Sequence, residues 1–336
     1  HFSMADLLAV KRIAVPGAVV QMTCATLLGM AASWWWGWPW GHGLLFGLSL
    51  SCASTVVLLK ALEARGILES MNGRIAVGWL IVEDLATVLV LVLLPPLAAL
   101  LGGNAVAVSG NEAVWITIAK TLLQVGAFIG LMMIVGRRVI PWLLWQIAGT
   151  GSRELFTLSV VAAAIGIAFG AAKLFNVSFA LGAFFAGMVM RESEFSHRAA
   201  KESLPLRDAF SVLFFVSVGM LFQPDVLIEK PLQVLGVLSI IMLGKTLAAF
   251  FLVLSFRYPL NTALTVAASL AQIGEFSFIL AGLGQALGLM TAEGMSLILS
   301  GALFSIALNP LMFSAIEPMR KWALEKSAFA RKLEQR

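Results

Sequence analysis

Two adjacent acidic residues lie near the middle of an apolar stretch that runs from Gly73 to Pro96. The stretch is long enough to cross a bilayer as a helix, which takes about 20 residues. An ionised Glu83 or Asp84 at that depth would cost about 3 kcal/mol unless a partner compensates its charge. Carboxylates are rare at the bilayer centre and usually mark ion or proton pathways, so the pair predicts a functional site inside a membrane. The alternative interpretation is a buried structural hydrogen bond.

The composition indicates a membrane protein. Of the 336 residues, 60% are hydrophobic and 12% are charged, and the mean hydropathy is +0.94. Soluble domains are about half apolar and about a quarter charged. The predicted fold class is therefore an all-α polytopic membrane protein.

The cysteines and histidines give no support for an enzyme. Cys24 and Cys52 lie in apolar stretches without a CxxC spacing, and the three histidines are far apart in sequence. The sequence has neither an HExxH nor a GxSxG motif. The chain is predicted not to be an enzyme, and no cofactor is expected within it. The net charge of +5 does not imply a nucleic-acid partner, because in a membrane protein the position of Lys and Arg matters more than their total.

Apolar runs bounded by charged residues, Gly or Pro predict about ten membrane spans. Those near 176 and 208 are shorter than the usual length of about 20 residues. The predicted spans lie near 14–36, 43–63, 74–101, 113–136, 154–173, 176–191, 208–222, 232–256, 261–288 and 293–317.

The positions of Lys and Arg predict the orientation of the chain. With these spans, every Lys and Arg falls on one side of the membrane except Lys120, Lys173, Lys230 and the intramembrane Lys245. By the positive-inside rule the basic side is cytoplasmic, and the C-terminus is on that side. Residues 1–318 are predicted to form the transmembrane domain. Residues 319–336 mix basic and apolar residues, which is typical of an amphipathic helix, and are predicted to form a basic cytoplasmic linker.

Four unusual features share one depth in the predicted spans. Asp84, Lys245 and Glu275 each lie about ten to fourteen residues into a span, which at 1.5 Å per residue is near the bilayer middle. A carboxylate at that depth can hold a proton or a monovalent cation, and because both compete for the same charge, such a site can exchange them. The fourth feature is a run of hydroxyl side chains, Ser49, Ser51, Ser54 and Thr55.

Each of these features has a structural alternative. Hydroxyl side chains in membrane helices often bond to their own backbone or to a neighbouring helix. The segment from Gln272 to Glu275 could form a kink in which the carboxylate bonds to freed backbone groups. Lys245 could be only a counter-ion that makes Asp84 tolerable. Polar breaks in an early and a late span would instead give two discontinuous helices, the pattern of inverted-repeat transporters.

Seven short segments stand in order along nearly the whole chain: Ser54–Glu63, Gly78–Leu85, Gly151–Leu158, Ser178–Met188, Phe214–Met220, Gly244–Thr246 and Ala271–Phe278. Each is weakly specific alone. Together and in this order they resemble the monovalent cation:proton antiporter superfamily, in its Kef-type branch.

The resemblance implies an inverted-repeat antiporter fold with a homodimeric scaffold and a core that contains two crossed, broken helices. Asp84 matches the aspartate that exchanges cation and proton, and it would be the ligand of the monovalent cation. Lys245 matches the buried lysine that can pair with it. Glu83, Ser54, Thr55 and Glu275 complete the expected binding site. The expected residues of the broken helices are Ser51, Ser54 and Thr55 in the first, and Gln272, Gly274 and Glu275 in the second.

This sequence departs from the family pattern in two ways. Glu83 stands where Kef-type proteins have Gln and other branches have Asp or Asn, which leaves the proton stoichiometry open. The resemblance also implies further N-terminal spans and a C-terminal cytosolic nucleotide-binding domain, and both are expected to be missing from this sequence. A nucleotide would bind to that missing regulatory domain.

The predicted function is the exchange of a monovalent cation for H⁺ by alternating access at Asp84, and the resemblance favours K⁺ over Na⁺ as that cation. Lys245 is expected to stabilise the ionised aspartate when the site is empty. The protein is expected to be a homodimer surrounded by lipid in the bacterial inner membrane. Two alternatives stay open: a ligand-gated K⁺ efflux pore, in which the same acids form a constriction, and a membrane sensor that transports nothing.

Overall fold

The computed structural model describes residues 4–103, 114–175, 179–191, 196–326, 331 and 334. Within these residues all regular secondary structure is helical, which confirms the predicted all-α membrane class. Two single π-helical turns, π1 (Met132–Gly136) and π2 (Ile240–Gly244), interrupt the α-helices. The α-helices are α1 (Met4–Trp35), α2 (Trp40–Ser51), α3 (Thr55–Glu63), α4 (Met71–Leu97), α5 (Val114–Leu131), α6 (Arg137–Ala148), α7 (Arg153–Phe175), α8 (Phe179–Arg191), α9 (Ser196–Gly219), α10 (Asp225–Glu229), α11 (Pro231–Ser239), α12 (Lys245–Ser255), α13 (Leu260–Ser269), α14 (Glu275–Ala286), α15 (Ala292–Ser314) and α16 (Ile316–Lys326).

Seven helical segments of the described chain are long and apolar enough to cross a membrane. They agree with the membrane class, and the more detailed count of about ten spans stays a prediction. The seven segments are Ala9–Trp35, Trp40–Glu63, Met71–Leu97, Ala119–Ala148, Arg153–Phe175, Pro231–Ser255 and Ala292–Ser314.

Three predicted spans have no counterpart among these seven segments. The span predicted near 176–191 corresponds to a shorter apolar helix, Leu181–Met190, and residues 176–178 lie outside the described residues. The span predicted near 208–222 overlaps α9, which begins with a polar and charged segment. The span predicted near 261–288 is divided between α13 and α14.

Two compact units make up the chain, and the first contains Asp84. It consists of His1–Thr87, Ala98–Asn104 and Val218–Arg336, as far as these are described. Here α1 packs along α2 and α12. The contact between α1 and α2 is close because a Cβ on Gly29 would lie 2.4 Å from the Cα of Gly47. The buried core of this unit includes Ile13, Leu58, Leu62, Ile75, Trp79 and Leu80.

Two helical segments of the first unit are broken. Residues 52–54 separate α2 from α3, and residues 270–274 separate α13 from α14. Ser54 suits the start of α3, because its Oγ accepts a hydrogen bond from the Val57 N–H at 3.3 Å. Each break frees backbone donors and acceptors in an apolar environment, and these groups need partners within the protein.

The second unit consists of Val88–Leu97 and Ala105–Ser217, as far as these are described. In it α7 packs along α8, and α6 contacts both. The ring of Phe128 lies 5.6 Å from that of Phe175 and 5.8 Å from that of Phe185, measured between centroids. Because π1 joins α5 to α6, the apolar segment continues to residue 148, beyond the predicted end at 136.

The helix α16 follows the last candidate span and packs on α13, where Leu324 contacts the buried Leu260 and Leu264. None of the residues of α16 is buried. The predicted linker, 319–336, begins within this helix. Its amphipathic character and its cytoplasmic location stay predictions. Residues 327–330, 332, 333, 335 and 336 of the linker lie outside the described residues.

Candidate functional site

The two helix breaks meet, and the side chain of Gln272 joins them. Its Oε1 accepts a hydrogen bond from the Ser54 N–H at 2.8 Å. Its Nε2 donates to the carbonyl oxygens of Ser54 and Ser269, each at 3.2 Å. Gln272 and Ser54 are both fully buried. The amide therefore provides partners for backbone groups at the breaks, where the regular helical hydrogen bonds are absent.

Gly274 allows the two breaks to approach closely. A Cβ on Gly274 would lie 2.2 Å from the Cβ of Ser54 and 2.6 Å from its Cα. Because the Cα belongs to the backbone, a side chain at position 274 would push the two breaks apart. Both residues are ones that the sequence assigns to the broken helices.

The Asp84 carboxylate faces the end of the first break. Its Oδ2 accepts a hydrogen bond from the Thr55 hydroxyl at 3.0 Å. Its Oδ1 is shielded from solvent and has no hydrogen-bond partner among the described residues. One oxygen of this carboxylate is thus held in place, and the other is available to a ligand.

Glu275 brings a second carboxylate to the same place. It is the first residue of α14, and its Oε2 accepts a hydrogen bond from the Ser54 hydroxyl at 2.9 Å. The carboxylates of Asp84 and Glu275 are near enough to repel each other. A proton or a small monovalent cation between two such acids would relieve that repulsion. As far as the described residues extend, no group of three or more His, Cys, Asp or Glu side chains could hold a metal ion.

Glu83 occupies a different environment from its neighbour Asp84. It is fully buried, and its Oε2 accepts a hydrogen bond from the Ala53 N–H at 3.0 Å. Adjacent residues lie about 100° apart around a helix, so the two acids reach different parts of the first break. Glu83 satisfies a backbone donor within the break, whereas Asp84 faces the hydroxyl at the start of α3.

Lys245 lies fully buried at the start of α12, directly after π2. Its ammonium group attracts the Glu83 carboxylate, and its Nζ donates a hydrogen bond to the Gln272 carbonyl at 3.1 Å. No ion pair within 4.0 Å joins Lys245 to Asp84 or to Glu83 in the described part of the chain. The lysine thus attracts the buried Glu83 without a direct ion pair, and its hydrogen bond to the Gln272 carbonyl ties α12 to the second break. Single π-turns of this kind are frequent at functional sites.

Two further contacts at the breaks involve residues that the sequence analysis does not assign to the site. Ser277 donates a hydrogen bond from its Oγ to the Cys52 carbonyl at 3.2 Å, and Thr87 Oγ1 lies 3.0 Å from Cys52 Sγ. Ser277 has a sequence signal, since it is a polar residue in an apolar half-helix, but the carbonyl at 52 has none. Ser51 is assigned to the first break, and the structure directs its hydroxyl to the Leu48 carbonyl at 2.7 Å, within α2.

Replacing Gln272 by Leu is expected to lower the free energy of unfolding by about 2–6 kcal/mol, because two buried backbone groups of Ser54 lose their partner and each costs about 1–3 kcal/mol. Thermal unfolding of the purified protein in one detergent measures the effect. Gln285→Leu is the matched control, because Gln285 is an exposed residue of α14. An equal loss of stability in both variants would contradict the role of Gln272.

The comparisons with known proteins agree on one class. The chain matches the sequence model of the family "Sodium/hydrogen exchanger, transmembrane" over residues 1–317. It is 61% identical over 317 residues to "Putative cation/proton antiporter YbaL" of Escherichia coli, which covers 94% of this chain and 56% of that protein. It is 32% identical over 318 residues to "K(+) efflux antiporter 4" of Arabidopsis thaliana, covering 94% of this chain and 52% of that protein.

A bacterial potassium-efflux protein is also similar. "Glutathione-regulated potassium-efflux system protein KefC" of Salmonella schwarzengrund is 28% identical over 310 residues, covering 91% of this chain and 48% of that protein. These similarities confirm the Kef-type resemblance. The chain spans about half of the length of each of these three relatives. The family match includes both helix breaks and the span that carries Asp84, and the chain therefore belongs to the family of transmembrane sodium/hydrogen exchangers.

Proposed function

We propose that this chain forms a secondary transporter that exchanges a monovalent cation, K⁺ rather than Na⁺, for H⁺ by alternating access at Asp84. The main support is the hydrogen bonding of the Asp84 carboxylate. Asp84 lies in the candidate membrane span Met71–Leu97. The Thr55 hydroxyl donates a hydrogen bond to one of its carboxylate oxygens, and the other oxygen has no hydrogen-bond partner among the described residues. A proton and a cation would each neutralise the same charge, so binding of one opposes binding of the other.

The other residues of the site have distinct roles in this proposal. Thr55 and Glu275 line the place of the cation beside the aspartate. Lys245 is the charge partner of the acids, and it compensates the buried Glu83 in the conformation described above. Gln272 holds the two breaks together, so that the binding site moves as one body during transport.

The choice of K⁺ rests on the relatives. Two of the relatives compared are named as potassium-efflux proteins. By the same resemblance we propose a homodimer in the bacterial inner membrane with the C-terminus in the cytoplasm. A regulatory domain that binds a nucleotide, outside this chain, is part of the same proposal.

Replacing Asp84 by Asn is expected to abolish exchange, because the amide cannot alternate between a charged and a neutral form. The purified protein is reconstituted in vesicles that contain a pH-sensitive dye, and K⁺ or Na⁺ is then added outside. We expect proton movement driven by K⁺, and more weakly by Na⁺, in the unaltered protein. In Asp84→Asn the signal should fall to that of vesicles without protein.

The matched control is Asp225→Asn, because Asp225 is an exposed acid at the start of α10. Its exchange rate should equal that of the unaltered protein. Rapid cation flux without proton movement would instead indicate a pore, and the absence of any flux would indicate a sensor. Either result, or full exchange in Asp84→Asn, would contradict the proposal.

A further inference from the structure

A cluster of charged side chains in the second unit takes no part in the proposed exchange. It surrounds a pocket of about 270 Å³ that is lined by Arg153, Arg198, Lys201 and Glu202. Arg153 is the first residue of α7, and the other three belong to α9. Among the described residues, three cationic side chains and one carboxylate give this lining an excess of positive charge.

Glu202 arranges the two arginines of the pocket. Its side chain is 11% exposed, and its Oε1 lies 3.1 Å from Arg198 Nε and 3.7 Å from Arg153 Nε. Its Oε2 accepts a hydrogen bond from the Thr157 hydroxyl at 3.1 Å. The guanidinium of Arg198 also lies 4.5 Å from the centroid of the buried Phe156 ring. The guanidinium of Arg198 is therefore held in place before a ligand binds, which reduces the entropy lost on binding, whereas the Arg153 side chain is 72% exposed and is only attracted to Glu202.

As far as the described residues extend, the Glu202 carboxylate leaves most of the donors of the pocket free. It engages the Nε atoms, and the terminal nitrogens of Arg153 and Arg198 make no hydrogen bond to another described residue. Lys201 is exposed to solvent. Glu154 accepts a hydrogen bond from the Ser152 hydroxyl at 3.2 Å, and it does not line the pocket. Free guanidinium and ammonium donors in one pocket suit the oxygens of a phosphate group.

The pocket lies at one end of a candidate membrane span. Arg153 begins the segment Arg153–Phe175, so the cluster is at the depth of the polar headgroups of a bilayer. The distribution of Lys and Arg predicts that this end faces the cytoplasm, where the leaflet carries anionic lipids. The positive end of the α7 dipole adds to the attraction of an anion.

We propose that this pocket binds a phosphate-bearing anion, and that the anion is the headgroup of an anionic phospholipid in the adjoining leaflet. The depth of the pocket favours lipid as the source, because lipid phosphates are concentrated there whereas a soluble anion must be captured from water. The site is separate from the exchange chemistry, and its ligand stabilises the helix pair α7 and α9.

The test is lipid binding by the purified chain in detergent. A short-chain phosphatidylglycerol, a phosphatidylcholine with the same chains, and inorganic phosphate are titrated separately. Native mass spectrometry counts bound lipid, and the unfolding temperature reports stabilisation. We expect phosphatidylglycerol to bind and to raise the unfolding temperature, and phosphatidylcholine to do neither. The binding should weaken as salt is added, because it depends on charge.

The informative variant is Arg153→Gln combined with Lys201→Gln, since neither side chain is buried. Phosphatidylglycerol should bind about fivefold more weakly for each cation removed. Arg12→Gln removes an exposed cation of α1 and should leave the binding unchanged. Equal binding by the double variant and this control would overturn the proposal. Stabilisation by inorganic phosphate but not by phosphatidylglycerol would overturn the lipid source and retain the anion site.

Discussion

Replacing Lys245 by Met is expected to lower the free energy of unfolding by about 3 kcal/mol or more, because it leaves the buried Glu83 carboxylate without a compensating charge. The variant also loses the hydrogen bond to the Gln272 carbonyl. Such a loss should lower the unfolding temperature of the purified protein by several degrees. Transport in vesicles should fall as well, since the second break loses its tie to α12.

The matched rescue is Glu83→Gln in the Lys245→Met background. A glutamine keeps an oxygen that can accept the Ala53 N–H, and it carries no charge. The double variant should therefore recover most of the lost stability. If Asp84→Asn restored stability and Glu83→Gln did not, Asp84 would be the partner of the lysine, as the sequence analysis expects.

Replacing Gly274 by Val is expected to separate the two helix breaks and to abolish exchange. A side chain there must displace both the Cβ and the Cα of Ser54, which a rotamer change cannot achieve. The separation would stretch the hydrogen bonds from Gln272 to Ser54 and would move the Thr55 hydroxyl from Asp84. We expect a loss of about 3 kcal/mol of unfolding free energy, the upper end of the usual range for overpacking of a core.

The control for this change is Gly282→Ala, in the middle of α14. A Cβ on Gly282 would meet no atom within 4 Å, and alanine favours a helix over glycine by about 1 kcal/mol. That variant should transport normally and should be equally or slightly more stable. Normal exchange by Gly274→Val, at a normal expression level, would show that close contact between the breaks is not required.

The polar residues of the site could be identified from the sequence because they are costly at membrane depth. Ser54, Thr55, Gln272 and Glu275 interrupt apolar segments, and the structure places all four at the two breaks. Asp84 could be recognised for the same reason. The helical class followed from composition alone.

The partners of the charged residues could not be derived in the same way. The pairing of Lys245 with Asp84 stays a prediction, and in the structure the lysine donates a hydrogen bond to the Gln272 carbonyl while its charge attracts Glu83. Two adjacent acids point about 100° apart, and only the packing of neighbouring helices determines which one faces the lysine. The Cys52 carbonyl and the Ala53 N–H bond to site residues through the backbone, so their side chains give no indication of this role. The number of spans is also hard to predict from the sequence. The two short helices α13 and α14 form one continuous apolar run in the sequence, although residues 270–274 separate them in the structure.

The π-turn before Lys245 determines the direction in which each side chain of α12 projects from the helix axis. A π-turn accommodates one more residue than a regular turn, and each residue rotates the chain by about 100° around the helix axis. With a regular turn in place of Ile240–Gly244, an unchanged Lys245 would project from another side of the helix. The π-turn, by holding one extra residue in the segment before Lys245, thus sets the direction of this buried charge. A single insertion between positions 240 and 244 would rotate the lysine by about 100° away from the site, whereas a single deletion would convert the π-turn into a regular turn and leave the lysine in place.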